Sequence, residues 1–115
     1  KMKIEKFEDV LAWQEAQKLT LEIYKQFKDC KDFNFKDQIQ RASVSIMNNI
    51  AEGFERYTNK EFKNFLYIAK GSCGEVRSML NLSLKLNYVT EEQYKKFLEL
   101  SIKISKLISG FIKTL

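Results

Sequence analysis

Glu52 and Glu75 fall at or beside the apolar seams of this chain, and two carboxylates so placed are the least that general acid–base chemistry would need. Glu52 belongs to the run SIMNNIAEG, residues 45–53, in which Asn48, Asn49, Glu52 and Gly53 interrupt an otherwise amphipathic pattern. Little else could support a reaction. The chain has no histidine, which removes the commonest general base, the Ser-His-Asp and Cys-His arrangements, and the Glu-x-x-His ligation of carboxylate-bridged metal bundles. Cys73 sits on a seam with no base in reach and reads as a small core residue. No phosphate-binding loop pattern occurs, because Gly71 and Gly74 fall inside a helical pattern instead of following a strand. Glu52 and Glu75 are therefore expected to pair with cations, Arg41 being the obvious candidate, and no catalytic residue, cofactor or metal ligand is assigned.

The elements that must hold these groups are helices. Hydrophobic residues make up 44% of the 115 residues and charged residues 30%, with no proline, which suits one all-α domain over residues 1–115. Apolar residues recur at three- and four-residue steps over four stretches. Helix 1 is expected from Asp9 to Lys28, with Ala12, Ala16, Leu19, Ile23 and Phe27 on one face. Helix 2 is expected from Phe35 to Glu55 behind an Asn34 N-cap, with Ile39, Ala42, Ile46, Asn49 and Gly53 as its seam. Helix 3 opens with the capping-box spacing of Thr58 and Glu61 and runs to Leu86, and helix 4 opens with the same spacing at Thr90 and Gln93 and runs to Leu115. The short loops between them favour an antiparallel up-down four-helix bundle.

Helix 3 carries two seams where one would serve one neighbour: Phe62, Leu66, Ala69, Cys73, Val76 and Leu80, and beside it Phe65, Ile68, Ser72, Glu75, Met79, Leu82 and Leu86. That breadth implies a second copy of the chain, hence a homo-oligomer. A glycine inside a helix costs about 1 kcal/mol relative to alanine, so Gly53, Gly71, Gly74 and Gly110 are expected where backbones approach closely. An asparagine on a seam sacrifices stability to select one register and assembly state. Arg41, Asn49, Glu52, Gly53, Gly71 and Glu75 are accordingly assigned to packing and register.

The net charge is +5, unevenly spread. Residues 1–55 carry nine Lys or Arg against ten Asp or Glu, residues 56–89 six against two, and residues 90–115 five against three. Arg56, Lys63, Lys70 and Arg77 recur every seven residues, and a straight helix drifts only about 20° per heptad, so they are expected to form a stripe down helix 3. For a monomer, a solvated polar face is the simpler reading. Repeated around an oligomer, the stripe would hold a polyanion, RNA or DNA, in a sequence-tolerant and salt-sensitive way. The alternative is a structural or protein-interaction scaffold whose charges serve solubility. Residues 1–9 are charged at Lys1, Lys3, Glu5, Lys6, Glu8 and Asp9, which excludes the apolar core of a signal peptide. The longest uncharged run, Ala42 to Ala51, has ten residues and cannot span a bilayer. With Cys30 and Cys73 read as free thiols, these features indicate a cytoplasmic protein with no membrane partner.

The runs FEDVLAWQEAQKL (7–19), QIQRASVSIMNNIAEGFER (38–56) and NKEFKNFLYIAKGSCGEV (59–76) resemble the small four-helix-bundle proteins encoded in intervening sequences of bacterial 23S ribosomal RNA genes. The resemblance covers nearly the whole chain and extends distantly to the accessory variability determinant of diversity-generating retroelements. It implies an up-down bundle assembled into a homopentameric ring, nucleic acid or a protein as partner, and no established enzymatic activity. Met47 and Asn48 stand where the resemblance leads one to expect Pro-Ser, so helix 2 is expected to lack a proline bend there.

Overall fold

The computed structural model describes residues 4–115, so Lys1 and Lys3 of the charged N-terminal run lie outside the described residues. Among those residues are a 3-10 turn at Phe7–Asp9 and four α-helices, α1 (Leu11–Gln26), α2 (Phe33–Phe54), α3 (Asn59–Lys85) and α4 (Glu91–Lys113), with no strand. α1 and α3 are each flanked by α2 and α4. The long dimension of 45 Å is set by α3, whose 27 residues span about 40 Å at helical rise.

Side chains at the helix ends explain where each element starts and stops. α2 begins two residues earlier than its expected start because Asp32, not Asn34, is the cap: its carboxylate accepts from the Phe35 N–H at 3.2 Å and from the Tyr88 hydroxyl at 2.7 Å. Asn34 is left inside the first turn. At α3 the Thr58 hydroxyl accepts from the Glu61 N–H at 3.1 Å, but the Glu61 carboxylate takes the Thr58 hydroxyl proton instead of the Thr58 backbone N–H. Only half of the expected box therefore forms. At α4 both halves form, Gln93 N–H to Thr90 Oγ1 at 3.1 Å and Thr90 N–H to Gln93 Oε1 at 2.9 Å. α3 ends in a left-handed residue, Asn87 at φ 63°, with the Tyr88 N–H reaching back to Ser83 O and the Asn87 N–H to Leu84 O, the bonding of a Schellman stop.

The expected face of α1, Ala12, Ala16, Leu19 and Ile23 with Phe27 just beyond, is buried throughout. So is the first seam of α3. Its second seam divides: Met79 is buried and Phe65 and Ser72 half-buried, while Ile68, Leu82 and Leu86 remain 52, 47 and 44% exposed and Glu75 is exposed. On α2 the seam steps from Ile46 to Ile50, not to Asn49, because four residues come closer to a whole turn than three. Asn49 therefore sits half-buried on the border, donating to Ser45 O at 2.8 Å and Ser45 Oγ at 3.0 Å. The Ser45 hydroxyl in turn shares a 2.9 Å hydrogen bond with that of Ser72 on α3.

One of the four glycines packs as expected. A Cβ on Gly53 would lie 2.6 Å from Phe65 Cβ and 3.0 Å from Phe62 Cδ1, so only hydrogen fits there. At Gly71, Gly74 and Gly110 a Cβ would meet nothing within 4 Å, which corrects the expectation of close approach at those three positions. Gly53→Ala should accordingly lose about 1–3 kcal/mol of stability through overpacking. Gly110→Ala should be neutral or gain up to about 1 kcal/mol. Thermal denaturation followed by circular dichroism compares the two, and equal midpoints would contradict the tight fit at Gly53.

Candidate functional site

Lys63, Lys70 and Arg77 stand seven residues apart along α3, on its side toward α4. That side is fixed by two contacts: the Cys73 thiol donates to Ser101 O at 3.1 Å, and Asn81, one turn past Arg77, donates to the Tyr94 hydroxyl at 3.2 Å. Lys70 and Arg77 are exposed and Lys63 half-buried, and among the described residues none of the three has an ion-pair partner. Arg56 does not continue the stripe. It lies between the end of α2 and the Thr58 cap of α3, its guanidinium 2.9 Å from Glu52 Oε2 and 4.7 Å over the Phe65 ring. The heptad count carried the helix past its own start.

The cationic face is wider than the stripe. Next to it on the helix run two further heptad rows, Lys60, Tyr67, Gly74, Asn81 and Asn64, Gly71, Ser78, Lys85, every member exposed. The three rows together contain no Asp or Glu. The acids of α3, Glu61 and Glu75, share the following row with Ile68 and Leu82. These rows could have been read from the sequence by sorting every seventh residue of helix 3, not only its cations. On α4, Lys95, Lys96, Lys106 and Lys113 are exposed, while Lys103 is drawn to α1.

The residues assigned to packing and register are not brought into one cluster. Gly53 faces α3 and Asn49 bonds back to Ser45 of its own helix, whereas Gly71 and Glu75 lie on exposed α3 surface. Arg41 does not meet Glu52 or Glu75. It pairs with Asp37 one turn away on its own helix at 2.8 Å, and Glu52 pairs with Arg56 by the same i to i+4 reach. Among the described residues Glu75 has no ion-pair partner. A cleft of about 810 Å³ opens where α1 begins, α2 meets α3 and α4 ends, walled by Val10, Leu11, Phe62, Leu107 and Phe111 with Arg56 and Lys106. Neither Glu52 nor Glu75 reaches that wall. Burial pushes the Cys73 thiol up to about 11, outweighing the opposing charge of Arg77, so it stays protonated at neutral pH.

Sequence reasoning missed Glu15. It is three residues past Ala12 and four before Leu19, so its carboxylate falls in the apolar stripe of α1, where it is 7% exposed. Lys103 of α4 lies 3.2 Å from Oε1 and Lys18 lies 3.3 Å from Oε2. Burial pushes the Glu15 pKa up, but the ammonium groups of Lys103 and Lys18 beside it outweigh that and hold it below the ordinary 4.5. The helical period was the available signal, since no other carboxylate of α1 occupies a core-facing position.

The sequence model described as 23S rRNA-intervening sequence protein matches residues 8–110. A solved protein of unknown function from the S23 ribosomal protein family of Bacteroides thetaiotaomicron superposes with a TM-score of 0.84 at 30% identity, covering 90% of this chain and 99% of that chain. No curated protein matches the chain significantly. Among the described residues no helix is long and apolar enough to cross a membrane.

Glu15, Lys18 and Lys103 all lie within the matched segment. Because the folded carboxylate has the lower pKa, its contribution is complete above the unfolded value and is lost as pH falls through the folded one. Urea unfolding between pH 3 and 7 should show stability falling on the acid side of about pH 4.5. Glu15→Gln should lower stability at pH 7 by about 1–2 kcal/mol, modest because both ammonium groups stay half in water, and flatten that acid limb. An unchanged limb in the variant would remove Glu15 as its source.

Proposed function

The chain belongs to the 23S rRNA-intervening sequence protein family, and from that premise we propose that it is a non-enzymatic, basic, oligomeric bundle that holds nucleic acid along the outer face of α3. The observation that carries this reading is the acid-free arc: three heptad rows with Lys60, Lys63, Lys70, Arg77 and Lys85 and no carboxylate. On a face that served solubility alone, acids would be interspersed and would form the i to i+4 pairs seen on α2. Here the cations are left to neutralise an external polyanion, releasing its counterions.

The bundle is read as antiparallel, one domain and cytoplasmic. Its neighbours support the antiparallel sense, since Ser45 meets Ser72 while Gly53 meets Phe62 and Phe65, and Glu15 meets Lys103 while Gln26 meets Gln93. The half-exposed Ile68, Leu82 and Leu86 border the basic rows on the side toward α2 and supply an apolar contact for a second copy. A closed ring of copies, five in the reading drawn from the resemblance, would repeat the basic arc around its circumference. The same apolar residues favour the second reading, a scaffold that engages a protein without nucleic acid.

Fluorescence anisotropy with labelled RNA and DNA over 50–300 mM salt tests the first reading. Binding should weaken linearly in log–log form, and each of Lys63→Ala, Lys70→Ala and Arg77→Ala should reduce the slope by about one counterion. Salt-independent binding, or triple reversal to Glu without effect, would leave the scaffold reading standing. A second expectation concerns assembly. Asn49→Leu should keep the helix content and alter oligomer size or uniformity in light scattering, because it removes the amide donor to Ser45, whose hydroxyl bonds Ser72 across the α2–α3 contact. An unchanged, monodisperse assembly would count against a register role for Asn49.

A further inference from the structure

Tyr67 stands in the middle of the acid-free arc and is 58% exposed, with Lys63 four residues before it and Lys70 three after. Helical side chains lean toward the N-terminus, so the ground beside the Tyr67 ring is the ground that residues 70 and 71 would cover. Residue 71 is Gly, and a Cβ there, or at Gly74 nearly one turn on, would meet nothing within 4 Å. Two glycines in the middle of α3 cost about 1 kcal/mol each. Unlike Gly53, neither is required by any packing within the chain. An open aromatic ring, a bare backbone floor beside it and a flanking row of cations are what stacks an unpaired base while holding its backbone.

A duplex cannot use this arrangement. Its bases offer edges and not faces, and the DNA major groove, about 12 Å wide, admits one helix. α3 is flanked on both sides by α2 and α4, at the roughly 8–10 Å spacing of packed helices, so it cannot enter alone. The major groove of double-stranded RNA is narrower still. We infer that the outer arc of α3 is a track for single-stranded nucleic acid, with Tyr67 stacking one base over the floor left by Gly71 and Gly74. Lys63, Lys70 and Arg77, each about 10 Å from the next along the axis, hold its phosphates. This rests on the polyanion reading above and specifies which polyanion.

The test uses the full chain, a 20-nucleotide uridine-rich RNA strand and an RNA duplex of the same length, compared by anisotropy at fixed salt. The strand should bind more tightly than the duplex. Tyr67→Ala should weaken the strand roughly tenfold and leave the duplex unchanged, and Tyr67→Phe should restore the strand. Gly71→Leu, which covers the floor, should weaken the strand by a similar factor while improving helix propensity. Equal affinity for strand and duplex with Tyr67→Ala silent overturns the single-strand track but leaves salt-sensitive polyanion binding intact. Salt-sensitive binding of neither probe overturns both.

Discussion

The meeting of α2 and α3 at Gly53 is the constraint from which the rest of the geometry follows. With hydrogen alone at that position, the α2 backbone comes close enough for Phe62 and Phe65 to pack directly on it. From there the two helices keep pace. Two turns back along α2 is Ser45 and two turns on along α3 is Ser72, and their hydroxyls meet at 2.9 Å. At the far end Asp32 and Tyr88 close the same pair of segments at 2.7 Å. Fixing the α2 side of α3 in this way also decides which of its rows must face outward, since a helix rotated by two residues would turn Lys70 toward Ser45 and bury a charge.

Glycine has opposite meanings in the two places where it matters. The intrinsic helix penalty is the same at Gly53 and at Gly71 and Gly74. At Gly53 it is offset inside the chain by contact with two phenylalanines. At Gly71 and Gly74 nothing in the chain offsets it, and both stand beside Tyr67 on exposed surface. Residue type alone does not distinguish the cases. The distinction depends on which heptad row each glycine occupies, and so on how the helix is rotated within the bundle.

The four helices, their apolar faces and the Thr58 and Thr90 start signals of α3 and α4 were legible in the sequence because capping and period are local properties, while α1 starts at Leu11 behind Val10 without a side-chain cap, two residues later than expected. The start of α2 was not, because the choice of Asp32 over Asn34 depends on Tyr88, 56 residues away. Asn49 was placed on the seam by a heptad count, whereas a straight helix of 3.6 residues per turn carries Ile50 into that place. Arg56 failed for a related reason, as a period of seven says nothing about where a helix begins. Glu52 pairs with a cation as expected, but with Arg56 in place of Arg41, and Glu75 has no ion-pair partner among the described residues. Side chains one turn apart on the same helix find one another before any group across an interface, and both Arg41 and Arg56 were taken in that way.

The composition of α3 argues that its outer surface is not tuned for the stability of the isolated chain. On α1 and α2, exposed cations sit near acids, as Lys25 does near Glu22 and Arg41 near Asp37. Each such pair adds only about 0.2–0.5 kcal/mol, yet on α3 even these are forgone along three adjacent rows. Lys63, Lys70 and Arg77 are about 10 Å apart along the axis, near the screening length at physiological salt, so their mutual repulsion is weak. Two mid-helix glycines add a larger local cost. What sustains α3 is its other side, where Leu66, Ala69, Cys73, Val76 and Leu80 are fully buried, together with its Thr58 cap and its Asn87 stop. A helix so strongly held from within can leave its outer rows free of internal duties, and those are the rows from which every acid is missing.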